Sequence, residues 1–332
     1  MDLPQDLREA LDGVLSGVAV RDVAAAVDRL IERYRAGEPA EDPILTGPVA
    51  VLAYAAYRMP ATYAAARSAL AALRRAVPAF TPRRHVDVGG GTGAAAWAVA
   101  DAFDSVAEVS VLDRVPEALA LGQKLGAHAA GAALRTATWR AERLETAALP
   151  TADLITVGYV LGELPAADRA GLVARCAAAV GPAGAVVVVE PGTPAGYARI
   201  LAARDGLLVA GLRLAGPCPH GLACPIAFAG GRDWCHFAVR VNRSGLHRRV
   251  KGGELGYEDE KFSYVVGFAG PDEIAPMGRV LRHPLQRKGL VTLQVCTVDG
   301  SAGPELVSRR QGERYRAARD LAWGDAWPPP PR

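Results

Sequence analysis

The sequence predicts an α/β protein centred on a doubly wound, largely parallel sheet. Three observations carry that reading. Residues 84–100 run from a short apolar strand through a glycine-rich turn into a helix. From 84 to about 205, strand-length apolar runs alternate with helical patterns, the signature of parallel strands joined by crossover helices. The strand-length runs also end in Gly, Asp or Glu, where an open α/β sheet forms its ligand crevice.

Ahead of the sheet, residues 1–80 read as a helical subdomain. Val23, Ala26, Val27, Leu30, Ile31 and Tyr34 fall on one face at helical spacing, and Gly37-Glu-Pro ends that helix. Two more helical patterns, 49–58 and 61–77, are separated by Met59-Pro60, with Tyr54, Tyr57, Arg58 and Tyr63 around the break. Val86 lies in the first strand, Glu108–Leu112 forms the second, and Leu134–Trp139 is expected as the third. Asp153–Val157 is the fourth and opens into Gly158-Tyr-Val-Leu. After the helix 166–180, Gly184–Glu190 is a wholly apolar fifth strand, as a central parallel strand should be. Phe262–Phe268 and Leu290–Thr297 are expected as the sixth and seventh strands.

The glycine turn reads Asp87-Val-Gly89-Gly-Gly91-Thr-Gly93. With side chains nearly absent, backbone N–H groups can approach a ligand, and the following helix adds partial positive charge. This Asp-x-Gly-x-Gly-x-Gly spacing resembles the first motif of class I S-adenosylmethionine (SAM) methyltransferases. The likeness implies a Rossmann-like class I sheet. It assigns Asp113, at the end of the second strand, to the ribose hydroxyls and Asp87 to the amino group of the methionine portion. Gly89-x-Gly91-x-x-Ala94 also satisfies the dinucleotide fingerprint, for which Asp113 would again hold a ribose. The loop after the fourth strand and the lack of a hydride-transfer acid favour SAM. No catalytic base can be named: neither an Asn-Pro-Pro-Tyr loop nor a loop cysteine suited to attack a pyrimidine is present.

The net charge of +3 is unevenly placed. Residues 1–215 carry 21 Lys/Arg against 23 Asp/Glu, and residues 216–332 carry 17 against 12, so a nucleic-acid partner is expected at the C-terminal third. No uncharged apolar run reaches 18 residues, so no transmembrane helix is expected. The opening Met-Asp-Leu-Pro-Gln lacks signal-peptide character, and five cysteines without one suggest reduced thiols in the cytoplasm.

Three of those cysteines, Cys218, Cys224 and Cys235, fall within eighteen residues, beside Pro or His and among glycines. Thiolates converging from loops indicate a soft metal or an iron–sulfur cluster. The fourth ligand is Cys296, or one of His220, His236 and His247 if the site holds zinc. Paired C-x-x-C knuckles are absent, which favours iron–sulfur over zinc. Cys176, inside a helix among alanines, reads as a small buried core thiol.

Pro217-Cys-Pro-His220, Cys224-Pro225, Trp234-Cys-His-Phe237 and Tyr257–Tyr264, behind the glycine loop, resemble the mitochondrial small-ribosomal-subunit methyltransferase-like family and its bacterial relatives. The resemblance covers most of residues 45–300. It implies a SAM fold carrying a [4Fe–4S] cluster on Cys218, Cys224, Cys235 and Cys296, bound to small-subunit ribosomal RNA in assembly or translation. This makes the expected organisation a helical subdomain (1–80), a methyltransferase-like domain (81–300) with a cysteine-rich insertion at 206–261, and a basic tail (301–332). Arg240, Arg243, Arg248, Arg249 and Lys251 supply the expected RNA phosphate contacts. A second basic group, Arg279, Arg282, His283, Arg287 and Lys288, precedes the last strand, and Arg309, Arg310, Arg314, Arg316 and Arg319 mark the tail. Two other readings fit the same residues: a small-molecule or protein methyltransferase with a zinc-stabilised insertion, and a non-catalytic RNA-binding module. The sequence leaves the oligomeric state open.

Overall fold

The computed structural model describes residues 1–36, 47–243, 256–271 and 277–328. Four helices come first: α1 (Gln5–Leu15), α2 (Val20–Ala36), α3 (Pro48–Tyr57) and α4 (Met59–Ala76). Val23, Ala26 and Val27 of α2 are buried as their spacing predicts; the side chains of Leu30, Ile31 and Tyr34 lie outside the described residues. Pro60 sits in the first turn of α4, where a missing N–H costs nothing, so the chain turns at Arg58 and starts a new helix. Alanine-rich α4 is buried along almost its whole length, and its small side chains let it lie close against the sheet.

The main sheet uses β1 (Arg84–Val88), β2 (Glu108–Asp113), β3 (Thr138–Ala141), β4 (Ala152–Gly158), β5 (Val180–Pro191), β6 (Arg213–Gly216), β7 (Phe237–Asn242) and β8 (Tyr257–Phe268). Their order is β3-β2-β1-β4-β5-β8-β6, with β7 also pairing β8. The strands β3-β2-β1-β4-β5 are mutually parallel, and β8 enters antiparallel between β5 and β6. A parallel run reversing outward from β1 and β4, with one antiparallel strand inserted near the edge, is the Rossmann-like class I methyltransferase arrangement. Helices α5 (Ala94–Ala102), α6 (Pro116–Gly126), α7 (Ala132–Arg135), α8 (Ala166–Ala179) and α9 (Pro194–Val209) complete the layers. Separate apolar cores lie on the two faces, one built with α4 and α5 and the other with α8 and α9.

Several expected strands take other places. The third strand starts at Thr138, because Ala132–Arg135 turns helical first. The sixth strand is Arg213–Gly216, and Phe262–Phe268 belongs to the inserted antiparallel strand. β6 and β7 therefore bring part of the expected 206–261 insertion into the main sheet.

Leu290–Cys296 does not join that sheet. It is β11, the centre of a second, antiparallel sheet with β9 (Gly278–Val280), β10 (Leu285–Arg287), β12 (Ala302–Ser308) and β13 (Ala326–Trp327). The region expected as a basic tail is thus largely folded. β12 pairs with β11 from Leu290↔Ser308 to Cys296↔Ala302. Helices α10 (Pro225–Phe228) and α11 (Glu313–Arg319) complete the chain's helices among the described residues. Val291, Leu293, Val295, Val307, Ala318 and Trp327 give the second sheet a core of its own.

Candidate functional site

At the C-terminal end of β1 the chain turns through Gly89, Gly91 and Gly93, all at positive φ. Gly89 is confined: a Cβ there would stand 2.2 Å from Val160 Cγ2, so the loop after β4 packs directly on it. Gly91 is open, since a Cβ there would meet only Asp113 Oδ2, at 3.6 Å. The Gly91 and Val115 N–H groups each donate to Asp113, at 2.9 Å, which fixes this half-buried carboxylate against the loop. Burial pushes the Asp113 carboxyl upward, against the pull of those backbone donors. Each oxygen keeps a lone pair, so the group can accept a diol presented at the loop.

Asp87 is placed differently from the expectation. It is buried behind the loop, where Oδ1 accepts the Thr156 hydroxyl at 2.8 Å and Oδ2 accepts the Ala96 N–H at 3.2 Å. A carboxylate in that position ties β1 to β4 and to α5 and so orients the loop. Thr156 spends its one proton on Asp87, so it accepts from His85 Nε2 at 2.8 Å, which puts the imidazole proton on Nε2. Burial lowers the His85 pKa to about 3 and raises the Asp87 pKa to about 7. A raised acid pKa means that the folded state holds its proton after the unfolded chain has released it. The Asp87 contribution to stability is then greatest below the ordinary value of 3.8 and is lost as pH rises through about 7, while neutral His85 adds a contribution of opposite slope below its ordinary 6.5. Asp87→Asn is expected to flatten this slope in denaturant titrations between pH 4 and 8; an unchanged slope would remove Asp87 as its source.

Beyond the loop, the ends of β4 and β5 form the crevice wall with β8. Tyr159, at φ 62, is the described non-glycine residue with positive φ, a strained conformation held by its surroundings. Its N–H donates to Val189 O at 2.7 Å, and its hydroxyl donates to Glu260 Oε1 at 2.8 Å. Arg58 grips Glu260 with both nitrogens, at 2.9 and 3.1 Å, and lies 5.4 Å over the Tyr159 ring. Buried Glu190 accepts the Leu161 N–H at 2.9 Å and the Arg199 Nε–H at 2.6 Å, which pins the loop after β4. Glu163, on the same loop, has its pKa raised to about 7, first by its protein surroundings and then by the charge of Asp113. The sequence had pointed to Arg58 and the β4 loop only as a helix break and a contact region. Glu190 is legible in the sequence as a strand end in the ligand crevice, whereas nothing singles out Glu260 within the acidic run Glu258-Asp-Glu.

The four cysteines singled out from the sequence meet. Cys218, Cys224 and Cys235, from segments after β6, line one cavity with Cys296 at the end of β11. The cavity therefore sits where the second sheet joins the first. All are free thiols. Burial first, then the charge of neighbouring cysteines, pushes the Cys218, Cys235 and Cys296 thiols up, that of Cys296 to about 12. Buried Arg204 and Arg279 oppose this at Cys218 and Cys296. The Tyr197 hydroxyl lies 3.1 Å from Cys224 Sγ, and His220 Nε2 lies 3.5 Å from Cys296 Sγ. Buried Arg204 Nε and His220 Nδ1 have no hydrogen-bond partner. Among the described residues, no three Cys, His, Asp or Glu side chains gather tightly enough to hold a metal ion. Cys176 lies apart in the α8–α9 core.

The expected RNA contacts fare less well. Arg240 pairs with its cross-strand partner Asp259 at 2.9 and 3.2 Å and stacks 4.0 Å from the Tyr257 ring; Arg243 pairs with Glu258 at 3.0 Å. Both are engaged in ion pairs within the protein, Arg240 at an exposed position and Arg243 at a half-buried one. Arg248, Arg249 and Lys251 lie outside the described residues. In the second basic group, buried Arg279 donates to Pro217 O and Gly324 O, and Arg282 to Asp233 and Trp234 O.

A family profile described as "Mitochondrial small ribosomal subunit Rsm22" matches residues 48–328. The chain is 31% identical over 294 residues to the human protein "Ribosome assembly protein METTL17, mitochondrial", covering 83% of this chain and 62% of that one. It is 27% identical over 185 residues to the fission yeast "Rsm22-cox11 tandem protein 2, mitochondrial", covering 44% of this chain and 24% of that one. The chain therefore spans less than two thirds of either relative's length. Among solved structures it is similar to an O-methyltransferase family protein from Burkholderia thailandensis (16% identity, TM-score 0.45, covering 75% of this chain and 69% of that one). It is also similar to a putative RNA methyltransferase from Pyrococcus horikoshii (11% identity, TM-score 0.41, covering 76% and 97%).

Proposed function

The chain belongs to the Rsm22 family, and from that premise we propose that it is a SAM-binding, iron–sulfur protein acting on the small ribosomal subunit. Its role there is in assembly or translation, on a particle we place in the cytoplasm. The observation that carries the cofactor half is the meeting of Cys218, Cys224, Cys235 and Cys296 in one cavity. Four soft donors suit a thiolate-ligated cubane, and the absence of paired C-x-x-C knuckles in the sequence favours it over a zinc site. Bound there, the cluster would supply a covalent junction between the two sheets. The chain's own part is to bring the thiols together, to face them with Arg204 and Arg279, and to keep water from the apolar wall. The ribosomal half rests on the family, described by the mitochondrial small ribosomal subunit, and on the human relative, which is named as a ribosome assembly protein.

For SAM, the open face at Gly91 and the fixed carboxylate of Asp113 support a ribose contact. No residue is assigned to methyl transfer. Asp113→Ala is expected to weaken SAM binding by about 1–3 kcal/mol, the scale of lost charge-assisted hydrogen bonds. Titration calorimetry reads this directly, and tight nicotinamide dinucleotide binding without any SAM response would overturn the assignment. Co-sedimentation with 30S particles tests the ribosomal half; protein that stays in the supernatant at low salt would reject it.

A further inference from the structure

The face of the second sheet that turns away from its own core carries Cys296 into the cysteine cavity at one end of β11, and at the other end it carries a patch of unusual make-up. Val291, Leu293 and Val295 of β11 point into that sheet's own core, so the alternate positions point outward. Across the three strands, Leu285, Thr292 and Leu306 stand in one row, since Leu285 pairs with Thr292 and Thr292 with Leu306. The two leucines are 63% and 61% exposed, too open to be serving the fold. The next row runs from Arg287 through Leu290 to Ser308. At its end four exposed cations gather: Arg287 and Lys288 in the β10–β11 turn, and Arg309 and Arg310 just after β12. The Arg309 N–H donates to Gly289 O at 2.9 Å, which locks the two pairs side by side.

None of these four cations has an ion-pair partner among the described residues, in contrast to Arg240, Arg243, Arg282 and Arg314. The remaining outward positions of the three strands are uncharged. Glu305 of β12 faces the other way, where it accepts from Arg314 and Trp327 Nε1.

We propose that this face is an RNA-docking surface, with Arg287, Lys288, Arg309 and Arg310 as its phosphate contacts. Three of the four are arginines, whose planar fork matches phosphate oxygens, and the exposed apolar row beside them can meet sugar and base surfaces. The inference rests on the ribosomal reading and adds an RNA contact on the second sheet.

The test measures binding to protein-free small-subunit rRNA across a salt series. It uses the wild type, the Arg287→Glu/Lys288→Glu/Arg309→Glu/Arg310→Glu variant, and Lys124→Glu/Arg143→Glu as a control for net charge. Wild type should bind with a steep salt dependence. Reversal of the four cations should lower the log–log slope by about 3, at about 0.7–0.9 per phosphate contact, while the control loses far less. Should the fourfold variant misfold by circular dichroism, the Arg287/Lys288 and Arg309/Arg310 pairs, tested separately, should each remove about half of that slope. If wild type binds and the variants keep its slope, the surface assignment is wrong. Binding to intact 30S particles but not to bare rRNA would make the partner a protein and also overturn it. If wild type binds neither, the ribosomal reading itself has failed.

Discussion

Cys218→Ser is expected to abolish the brown colour of anaerobically purified protein and to strip most of its iron. It should also open the segment between β6 and β7 to protease. The cavity takes three thiols from one eighteen-residue stretch and the fourth, Cys296, from the second sheet. A cluster there closes the loop from Cys235 to Cys296, about sixty residues. Losing such a cross-link should cost about 3–5 kcal/mol, the scale for covalent closure of long loops. Without it, burial and the neighbouring cysteines hold the Cys218, Cys235 and Cys296 thiols up in a largely apolar cavity, with Arg204 and Arg279 left facing uncharged sulfur. Ribosome binding should fall with the loss of the second sheet's anchorage, while SAM binding at the glycine loop persists. Cys176→Ala, in a separate core, should leave iron content unchanged. Unaltered colour and iron in Cys218→Ser would remove Cys218 from the ligand set.

The second large effect is expected at Glu260. Its carboxylate takes both nitrogens of Arg58 and the hydroxyl of Tyr159, and both partners of the ion pair are largely buried, at 20% and 13% side-chain exposure. Glu260→Ala leaves the guanidinium in place without its counter-charge. The expected loss is about 3 kcal/mol, since breaking one side of a buried pair strands the other. The strained Tyr159 loses its anchor at the same time, so the β4 loop should loosen against Gly89. Urea titration reads the stability loss, and hydrogen exchange at residues 159–162 reads the loosening. Glu260→Gln, which keeps the shape and an acceptor oxygen, should cost less. Equal stability of wild type and Glu260→Ala would show that the pair contributes nothing net.

The parts of this fold that were legible in the sequence are those whose signals are local. The strand, glycine turn, helix and Asp113 follow one another within thirty residues, and each has its own pattern; the structure keeps them in that order. The cysteines stood out because loop thiols beside Pro and His do not follow core periodicity. What could not be read depends on register and topology. Arg213–Gly216 is too short to show a period, so the sequence offers Phe262–Phe268 as the sixth strand in its place. Leu290–Cys296 alternates like any half-buried strand, and nothing local says which sheet it joins. The basic segment misled for the same reason. Arg240 reads as a free cation until its cross-strand position opposite Asp259 is known, and Arg309 reads as a helical tail residue until β12 is paired. Asp87 looked ligand-facing because its place at the strand end is visible in sequence, whereas its burial behind the loop is not.

The central claim is that four cysteines from two sheets jointly hold one iron–sulfur cluster. Metal and acid-labile sulfide analysis of wild-type protein, purified under anaerobic conditions, addresses it most directly. The account predicts iron and sulfide in equal amounts, about four of each per chain, with broad absorption near roughly 400 nm. Colourless protein carrying one zinc per chain and no sulfide would contradict it.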